Sequence, residues 1–270
     1  MFDRVKINIY RPRMENIDLN TVLTGQDPEP TYLVGDWIYK GQVILMAGDP
    51  GVGKSFLAYY LSFCVALGLP ALGHPVTSGN VLYFDEENGR PDMHQYLRWI
   101  WRGLGCPSVS QLQSRLFVEH FSLARHAKNR YAYMIDCAAE VKPSLIIIDT
   151  VTPGCAIAEE NDNSEASRAL RSLRTVKEAA GPTCTVLLLK HAKFSHDPNE
   201  RQTIRGAKSW LGEVDGVVYH KFLPGKPRTD GLRNCKLTPD KVRAFGLRQE
   251  LRIVPEWIGA DGEKGIALHG

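Results

Sequence analysis

Residues 48–55 read GDPGVGKS, and this stretch decides the fold of the chain. It fits G-x-x-x-x-G-K-[ST] at every position and lies between the apolar runs VILMA (43–47) and FLAYYLSFCVALGL (56–69). In this pattern main-chain N–H groups wrap a phosphate at a helix N-terminus, the lysine reaches the β- and γ-phosphates and the hydroxyl binds Mg²⁺. The sequence therefore predicts a nucleotide-binding loop formed by Gly48, Asp49, Pro50, Gly51, Val52, Gly53, Lys54 and Ser55.

Short apolar runs alternate with segments of helix length through the rest of the chain. The runs are VILMA (43–47), VLYF (81–84), LFVEHF (116–121), LIIID (145–149) and TVLLLK (185–190). This alternation predicts an α/β fold with a mainly parallel sheet flanked by helices. VDGVVYHKF (214–222) predicts a further strand, and residues 223–258 a small β-rich C-terminal end. We expect an N-terminal strand, VKINIY (5–10), with an extended lead-in over 1–30, a main domain over 31–258 and a tail over 259–270.

Composition narrows the class of protein. The chain has 270 residues, and its longest apolar stretch, 14 residues, is too short for a membrane span of about 20. The start lacks the apolar core of a signal peptide, and the six cysteines are scattered, so we expect a cytoplasmic protein without membrane or zinc. Residues 201–252 carry 12 Lys/Arg against 5 Asp/Glu, a balance of +7, whereas the remainder carries 21 against 25. This asymmetry favours a nucleic-acid partner over a basic tail or a subunit contact.

Carboxylates follow two of the apolar runs. LIIID ends in Asp149, which would hold Mg²⁺ together with Ser55. The next residue is Thr150, so a base that activates water must come from elsewhere, and VLYFDEEN (81–88) supplies three acids at a strand end. An N-K-x-D motif of GTPases and an LSGGQ-type signature of transporter ATPases are both absent. Kinases and motor-type ATPases remain.

The order of these motifs resembles the RecA/DnaB branch of P-loop ATPases over roughly residues 30–240. Within it the chain is most similar to the RepA-type replicative helicases and the AAA_25 family. The segments that carry the resemblance are GDWIYKGQVILMAGDPGVGKS, VLYFDEEN, LIIIDT, LLLKHAK and RGAKSWLGEVDG. The resemblance implies a RecA-like core, Mg²⁺-dependent ATP hydrolysis and a homo-oligomer, either a hexameric ring or a filament.

The resemblance also implies roles for individual residues. Glu87 would be the catalytic base with Glu86 as its neighbour, and His191 would sense the γ-phosphate. His94 and Tyr96 lie near the position where relatives contact adenine. A neighbouring subunit would supply a cation, and the candidates for that arginine finger or trans cation are Arg205, Arg233, Lys236 and Arg243.

Relatives bind single-stranded nucleic acid through two loops, one after the strand that corresponds to LIIID (145–149) and one after the strand that corresponds to TVLLLK (185–190). Here the first loop, TPGCAIAEENDNSEAS (152–167), is acidic and would repel phosphate, which weakens the helicase interpretation but not the ATPase one. The second, AKFSHDPNERQTIRG (192–206), offers Lys193, Phe194 and Arg201 as DNA-contacting residues. A disordered surface loop is the alternative interpretation of this second segment.

Four functions remain open on this sequence. A replicative-helicase-type motor acting on single-stranded DNA is the main reading. A filament-forming recombinase or loader is the first alternative, with VKINIY as a candidate polymerisation segment. A regulatory ATPase that binds proteins without DNA is the second. A small-molecule kinase is the most distant, because no Arg-rich lid segment is evident and Glu87 would direct ATP to water.

Overall fold

A computed structural model describes residues 18–25, 31–193, 204, 206, 208–225, 228–242, 249–260 and 263–270. The chain forms two units, Met1–Pro30 and Thr31–Gly270. The described part of the first unit is a short helix, α1 (Leu19–Thr24), whose Leu19 and Leu23 side chains are exposed. The predicted strand VKINIY lies outside the described residues.

The second unit is organised around a sheet that has nine strands among the described residues, in the order β11-β10-β9-β8-β3-β7-β6-β4-β5. The six strands from β8 to β5 in this order are parallel, and β9, β10 and β11 are antiparallel to their neighbours. A small hairpin joins β1 (Tyr32–Val34) to β2 (Ile38–Tyr39). The strands of the main sheet are β3 (Val43–Gly48), β4 (Val81–Asp85), β5 (Leu116–His120), β6 (Leu145–Asp149), β7 (Thr185–His191), β8 (Gly216–Phe222), β9 (Cys235–Val242), β10 (Leu251–Ile258) and β11 (Gly265–His269).

Helices cover both faces of the sheet. On one face, α2 and α3 pack over Ile44 and Met46; on the other, α6 and α8 pack over Val43 and Leu45. Because both faces are buried, the central strands read as continuous apolar runs. The helices are α2 (Lys54–Leu67), α3 (Arg90–Gly103), α4 (Val109–Gln113), α5 (Ser122–Arg125), α6 (Arg130–Val141), α7 (Val151–Gly154), α8 (Asn163–Ala180) and α9 (Ser209–Glu213). The predicted α/β class with a mainly parallel sheet is confirmed.

The C-terminal end is β-rich, as predicted, but it extends further than expected. Residues 259–270 were expected to form a tail, whereas β11 pairs with β10 and forms an edge of the main sheet. Helix α3 packs so closely on β11 that a Cβ at Gly103 would lie 1.9 Å from the Ile266 main-chain oxygen. The apolar run that makes this strand is only three residues long, IAL (266–268), which is too short to stand out in the sequence.

None of the described helices is both long and apolar enough to span a bilayer. Of the six cysteines, four are buried: Cys64, Cys155, Cys184 and Cys235. Their burial agrees with thiols that serve as core residues.

Candidate active site

The loop predicted to bind nucleotide joins β3 to α2 at the carboxyl edge of the parallel strands. Gly51 and Gly53 have φ angles of +75° and +93°, in the left-handed region that favours glycine. Position 48 requires glycine for lack of space, because a Cβ there would lie 2.4 Å from the His220 main-chain oxygen on β8. The glycines thus fix the loop against the sheet and at the N-terminus of α2, the arrangement that binds phosphate in other proteins.

Lys54 is the first residue of α2, and its side chain turns back over the loop. It is only 6% exposed. Its Nζ donates to the main-chain oxygens of Gly48 (3.1 Å) and Asp49 (3.0 Å) and lies 3.5 Å from His191 Nδ1. Burial lowers the pKa of Lys54 despite the attraction of three nearby carboxylates. The ammonium group is therefore a partly desolvated cation, able to interact strongly with phosphate oxygens.

His191 connects Lys54 to Glu87. Its Nε2 lies 3.2 Å from Glu87 Oε1, at the ring position opposite the Nδ1 that faces Lys54. Because an ammonium group only donates, Nδ1 must accept and Nε2 must carry the proton given to Glu87. This hydrogen bond lowers the pKa of Glu87, and Glu87 is therefore ionised at neutral pH. The structure brings together the three residues predicted to be catalytic.

Asp149 ends β6 and is fully buried. Its Oδ2 accepts from the Tyr83 hydroxyl (2.7 Å) and from Asn88 Nδ2 (3.2 Å). Its Oδ1 has no hydrogen-bond partner among the described residues, and the peptide to Thr150 is cis. Burial, followed by the nearby Asp85 carboxylate, raises the pKa of Asp149 to about 7, whereas the hydrogen bond from Tyr83 and the nearby Ser55 hydroxyl act in the opposite direction.

A hard divalent cation fits this pair of residues. The unpartnered Asp149 Oδ1 and the Ser55 hydroxyl are oxygen donors, which Mg²⁺ prefers. Among the described residues no group of three or more His, Cys, Asp or Glu side chains could hold a metal by itself. A cation held by these two residues must therefore obtain its other ligands from water and phosphate.

Two stacked tyrosines, which no motif in the sequence singles out, support the acidic strand ends. The Tyr59 and Tyr83 rings lie 4.0 Å apart with an interplanar angle of 3°. The Tyr59 hydroxyl donates to Asp85 Oδ2 (2.6 Å), just as the Tyr83 hydroxyl donates to Asp149. Asp85 Oδ1 also accepts from the main-chain nitrogens of Glu87 (3.1 Å) and Asn88 (2.9 Å). Asp85 therefore shapes the turn that presents Glu87.

Glu86 points in another direction. It is 5% exposed, and its two oxygens accept from the main-chain nitrogens of Leu123 (2.8 Å) and Ala124 (3.1 Å) at the start of α5. Burial raises the pKa of Glu86, whereas these two hydrogen bonds lower it. Of the three consecutive acids, Glu87 alone contacts His191 in the described structure.

A pocket of about 330 Å³ lies beside the phosphate loop. Its aromatic lining includes Phe56, Tyr96, Trp99 and Phe222. His220 also lines it, and neither of its buried ring nitrogens has a hydrogen-bond partner among the described residues. Burial, reinforced by the Lys54 charge, lowers the pKa of His220 to about 3, so the imidazole is neutral. His94 is exposed on α3 and is not among the pocket residues.

The remaining predicted residues lie apart from Lys54, His191 and Glu87 or outside the described residues. The Arg233 guanidinium lies 3.8 Å from the centroid of the Phe222 ring and lines the same pocket. Lys236 forms an ion pair with Glu250 at 2.6 Å, and Lys193 is exposed just after β7. The predicted residues outside the described part of the chain are Phe194, Arg201, Arg205 and Arg243.

Comparisons with known proteins agree with this geometry. A solved structure of the RadB recombinase superposes with a TM-score of 0.54 at 16% identity, covering 84% of this chain and 90% of that one. The DNA repair protein RadA of Bacillus subtilis (strain 168) is 24% identical over 197 residues, 69% of this chain. The chain spans 34% of the length of that curated relative. The model of the AAA_25 family, described as an AAA domain, matches residues 11–196. The chain therefore belongs to the AAA_25 family, in the RecA branch of P-loop ATPases.

Proposed function

We propose that this chain hydrolyses ATP and that Glu87 is the base that activates water. The observation that carries the proposal is the continuous contact from Lys54 through His191 to Glu87 at the phosphate loop. The loop provides phosphate binding, and an ionised carboxylate stands beside it with its pKa held low. A kinase must keep water from the γ-phosphate, whereas a carboxylate at this position promotes attack by water.

In the proposed reaction the oxygen of water attacks the γ-phosphorus while Glu87 accepts one of its protons. The bond between the γ-phosphorus and the bridging oxygen breaks, and the electron pair leaves with ADP. Lys54 stabilises the charge on the leaving and transferred oxygens. His191 Nε2–H, which points at Glu87, can instead donate to a phosphoryl oxygen and sense the γ-phosphate. When bound by Ser55 and Asp149, Mg²⁺ would supply neutralisation of phosphate charge.

We propose that the aromatic pocket beside the loop receives the base and sugar of the nucleotide. Gly51, Val52 and Gly53 are among its lining residues, so the pocket adjoins the phosphate loop. Tyr96 lies in its lining, in agreement with the position implied by the family resemblance. Aromatic rings of this kind stack on purines.

We propose that the chain couples ATP hydrolysis to the binding of single-stranded DNA. Filament formation is favoured over a helicase ring. The relatives found are named a DNA repair protein and a recombinase, and neither name specifies a helicase. The exposed Lys193 and the basic balance of residues 201–252 support a nucleic-acid contact. We propose that copies of the chain associate with one another. Arg233 and Lys236 are the described candidates for a cation that acts on a neighbouring copy.

Steady-state ATP hydrolysis with and without single-stranded DNA, at low and moderate salt, tests this function. The wild type should hydrolyse ATP and respond to DNA more strongly at low salt, and Lys54→Ala should be inactive. Equal rates for Lys54→Ala and wild type would overturn the ATPase assignment. Hydrolysis indifferent to DNA would favour a regulatory ATPase that binds proteins. Electron microscopy with ATP then separates helical filaments from hexameric rings, and rings would favour the helicase.

A further inference from the structure

Lys190 is a buried cation without a role in the proposed mechanism. It precedes His191 on β7 and is 1% exposed, and its side chain lies on the face opposite the phosphate loop and α2. Burying an ammonium group is costly unless its contacts compensate for lost hydration. A methionine would fill the same space without that cost, so the charge itself calls for an explanation.

The contacts of Lys190 lead to the loop that follows Asp149. Its Nζ donates to Thr152 Oγ1 (3.5 Å) and lies 5.4 Å from the centroid of the buried Trp210 ring. The Thr152 hydroxyl in turn donates to Glu160 Oε1 at 3.0 Å. A directed series of donors therefore runs from β7 through Thr152 of α7 to Glu160 in the middle of the first loop.

The chain returning from the second loop also lies against this point. A Cβ at Gly206 would be 2.2 Å from the Glu160 main-chain oxygen, so the two main chains are in direct contact. Three residues later, Ser209 donates through its nitrogen (3.1 Å) and hydroxyl (3.0 Å) to Asn163 Oδ1. Helix α9, which begins at Ser209, carries Trp210 beneath Lys190. The first loop and the start of α9 thus meet at the Lys190 side chain, and the end of the second loop contacts the first loop at Glu160.

We propose that Lys190 is a positioning residue that couples the phosphate-sensing end of β7 to the first loop and to the start of α9. Because Lys190 and His191 are consecutive on one strand, a shift of His191 on nucleotide binding displaces the contact with Thr152 and Trp210. The first loop and the start of α9 then move together with β7. This inference rests on the proposed nucleotide site, and through the loops it would link nucleotide state to whatever the loops bind.

Hydrogen exchange with and without a non-hydrolysable ATP analogue tests the coupling without requiring DNA or turnover. In the wild type, the analogue should change exchange in residues 48–55, 150–163 and 204–212. In Lys190→Met the response of residues 48–55 should remain, and that of the other two segments should fall roughly fivefold. Thr152→Val, which removes one hydroxyl at nearly constant volume, should produce the same pattern. As a control, Lys142→Met changes an exposed lysine that lies just before β6, at the amino ends of the parallel strands, and it should behave as wild type.

The outcomes separate this inference from the proposed function. A wild type that shows no response at residues 48–55 would overturn nucleotide binding and the coupling with it. A response at residues 48–55 with unchanged loop responses in Lys190→Met and Thr152→Val would overturn the coupling alone. If Lys190→Met does not fold, Thr152→Val decides. In the double variant the loss should equal that of either single variant, because both act through one contact.

Discussion

Exchanging Glu87 for Gln tests the assignment of the catalytic base. The side chain is 38% exposed and contacts His191 and Thr150, so an isosteric amide should fit without disturbing the fold. An amide cannot accept the proton of water. General-base catalysis contributes about 10²–10⁴-fold, so kcat should fall by that factor, equivalent to about 3–5.5 kcal/mol of transition-state stabilisation. The affinity for ATP should change little, because Lys54 and the loop are unaltered.

The neighbouring exchange, Glu86→Gln, is a matched control with the opposite expectation. Both Glu86 oxygens accept main-chain N–H bonds, and an amide retains a single acceptor. Leaving one buried N–H without a partner costs about 1–3 kcal/mol. In a domain of this size that cost lowers Tm by about 2–12 °C, while kcat at 25 °C should stay within a few-fold of wild type.

Phosphate release, binding of a fluorescent ATP analogue and thermal unfolding, measured on both variants, give the comparison. The reasoning predicts lost turnover with normal Tm for Glu87→Gln and lowered Tm with normal turnover for Glu86→Gln. If the two variants exchange these properties, Glu86 is the base. If neither loses turnover, the base lies elsewhere and the contact between His191 and Glu87 has another purpose.

Three further exchanges follow from the same geometry. His191→Ala removes the bond that lowers the pKa of Glu87; because the proposed base acts only when ionised, the part of the acid limb of the kcat/KM profile that reports Glu87 should move to higher pH than in the wild type. Tyr83→Phe removes a 2.7 Å donor to the buried Asp149 carboxylate and should lower the free energy of unfolding by about 1–3 kcal/mol in urea titration. Gly103→Ala should force β11 away from α3 and cost about 1–3 kcal/mol by the same titration, whereas Gly212→Ala, where a Cβ meets nothing within 4 Å, should be nearly neutral.

The sheet and the positions of the main site residues could be predicted from the sequence for a physical reason. Strands that are buried on both faces have uninterrupted apolar sequences, and the carboxyl ends of parallel strands lie at the same edge of the sheet. Residues that follow such runs, here Lys54, Glu87, Asp149 and His191, must therefore gather at that edge, whatever the detailed strand order. The structure does place Lys54, His191 and Glu87 in contact.

The different contacts of the consecutive acids Asp85, Glu86 and Glu87 could not be predicted in the same way. Whether Glu86 or Glu87 faces the loop depends on the turn set by Asp85, and on α5 presenting free main-chain nitrogens to Glu86. The Tyr59 hydroxyl likewise reaches an acid 26 positions away in the chain, because α2 packs over β4. Local patterns carry no information about such contacts between elements. The position of Tyr83 could have been predicted more easily. It lies two residues before Asp85 on the same strand, and alternate residues of a strand share one face.

The contacts of His191 also bear on what the protein does with ATP. In the structure the imidazole is engaged on both sides, by Lys54 and by Glu87. A γ-phosphate that draws Lys54 and the imidazole toward its oxygens competes with both contacts, so nucleotide binding and the position of the β7 end are linked. Linkage of this kind is reciprocal: a partner that fixes the loops must change nucleotide affinity by the factor by which nucleotide changes affinity for the partner. Hydrolysis removes the γ-phosphate and restores the contacts of His191, which would weaken the hold of the loops on that partner. Under the proposed function, this linkage would give a cycle in which a partner is bound before hydrolysis and released after it.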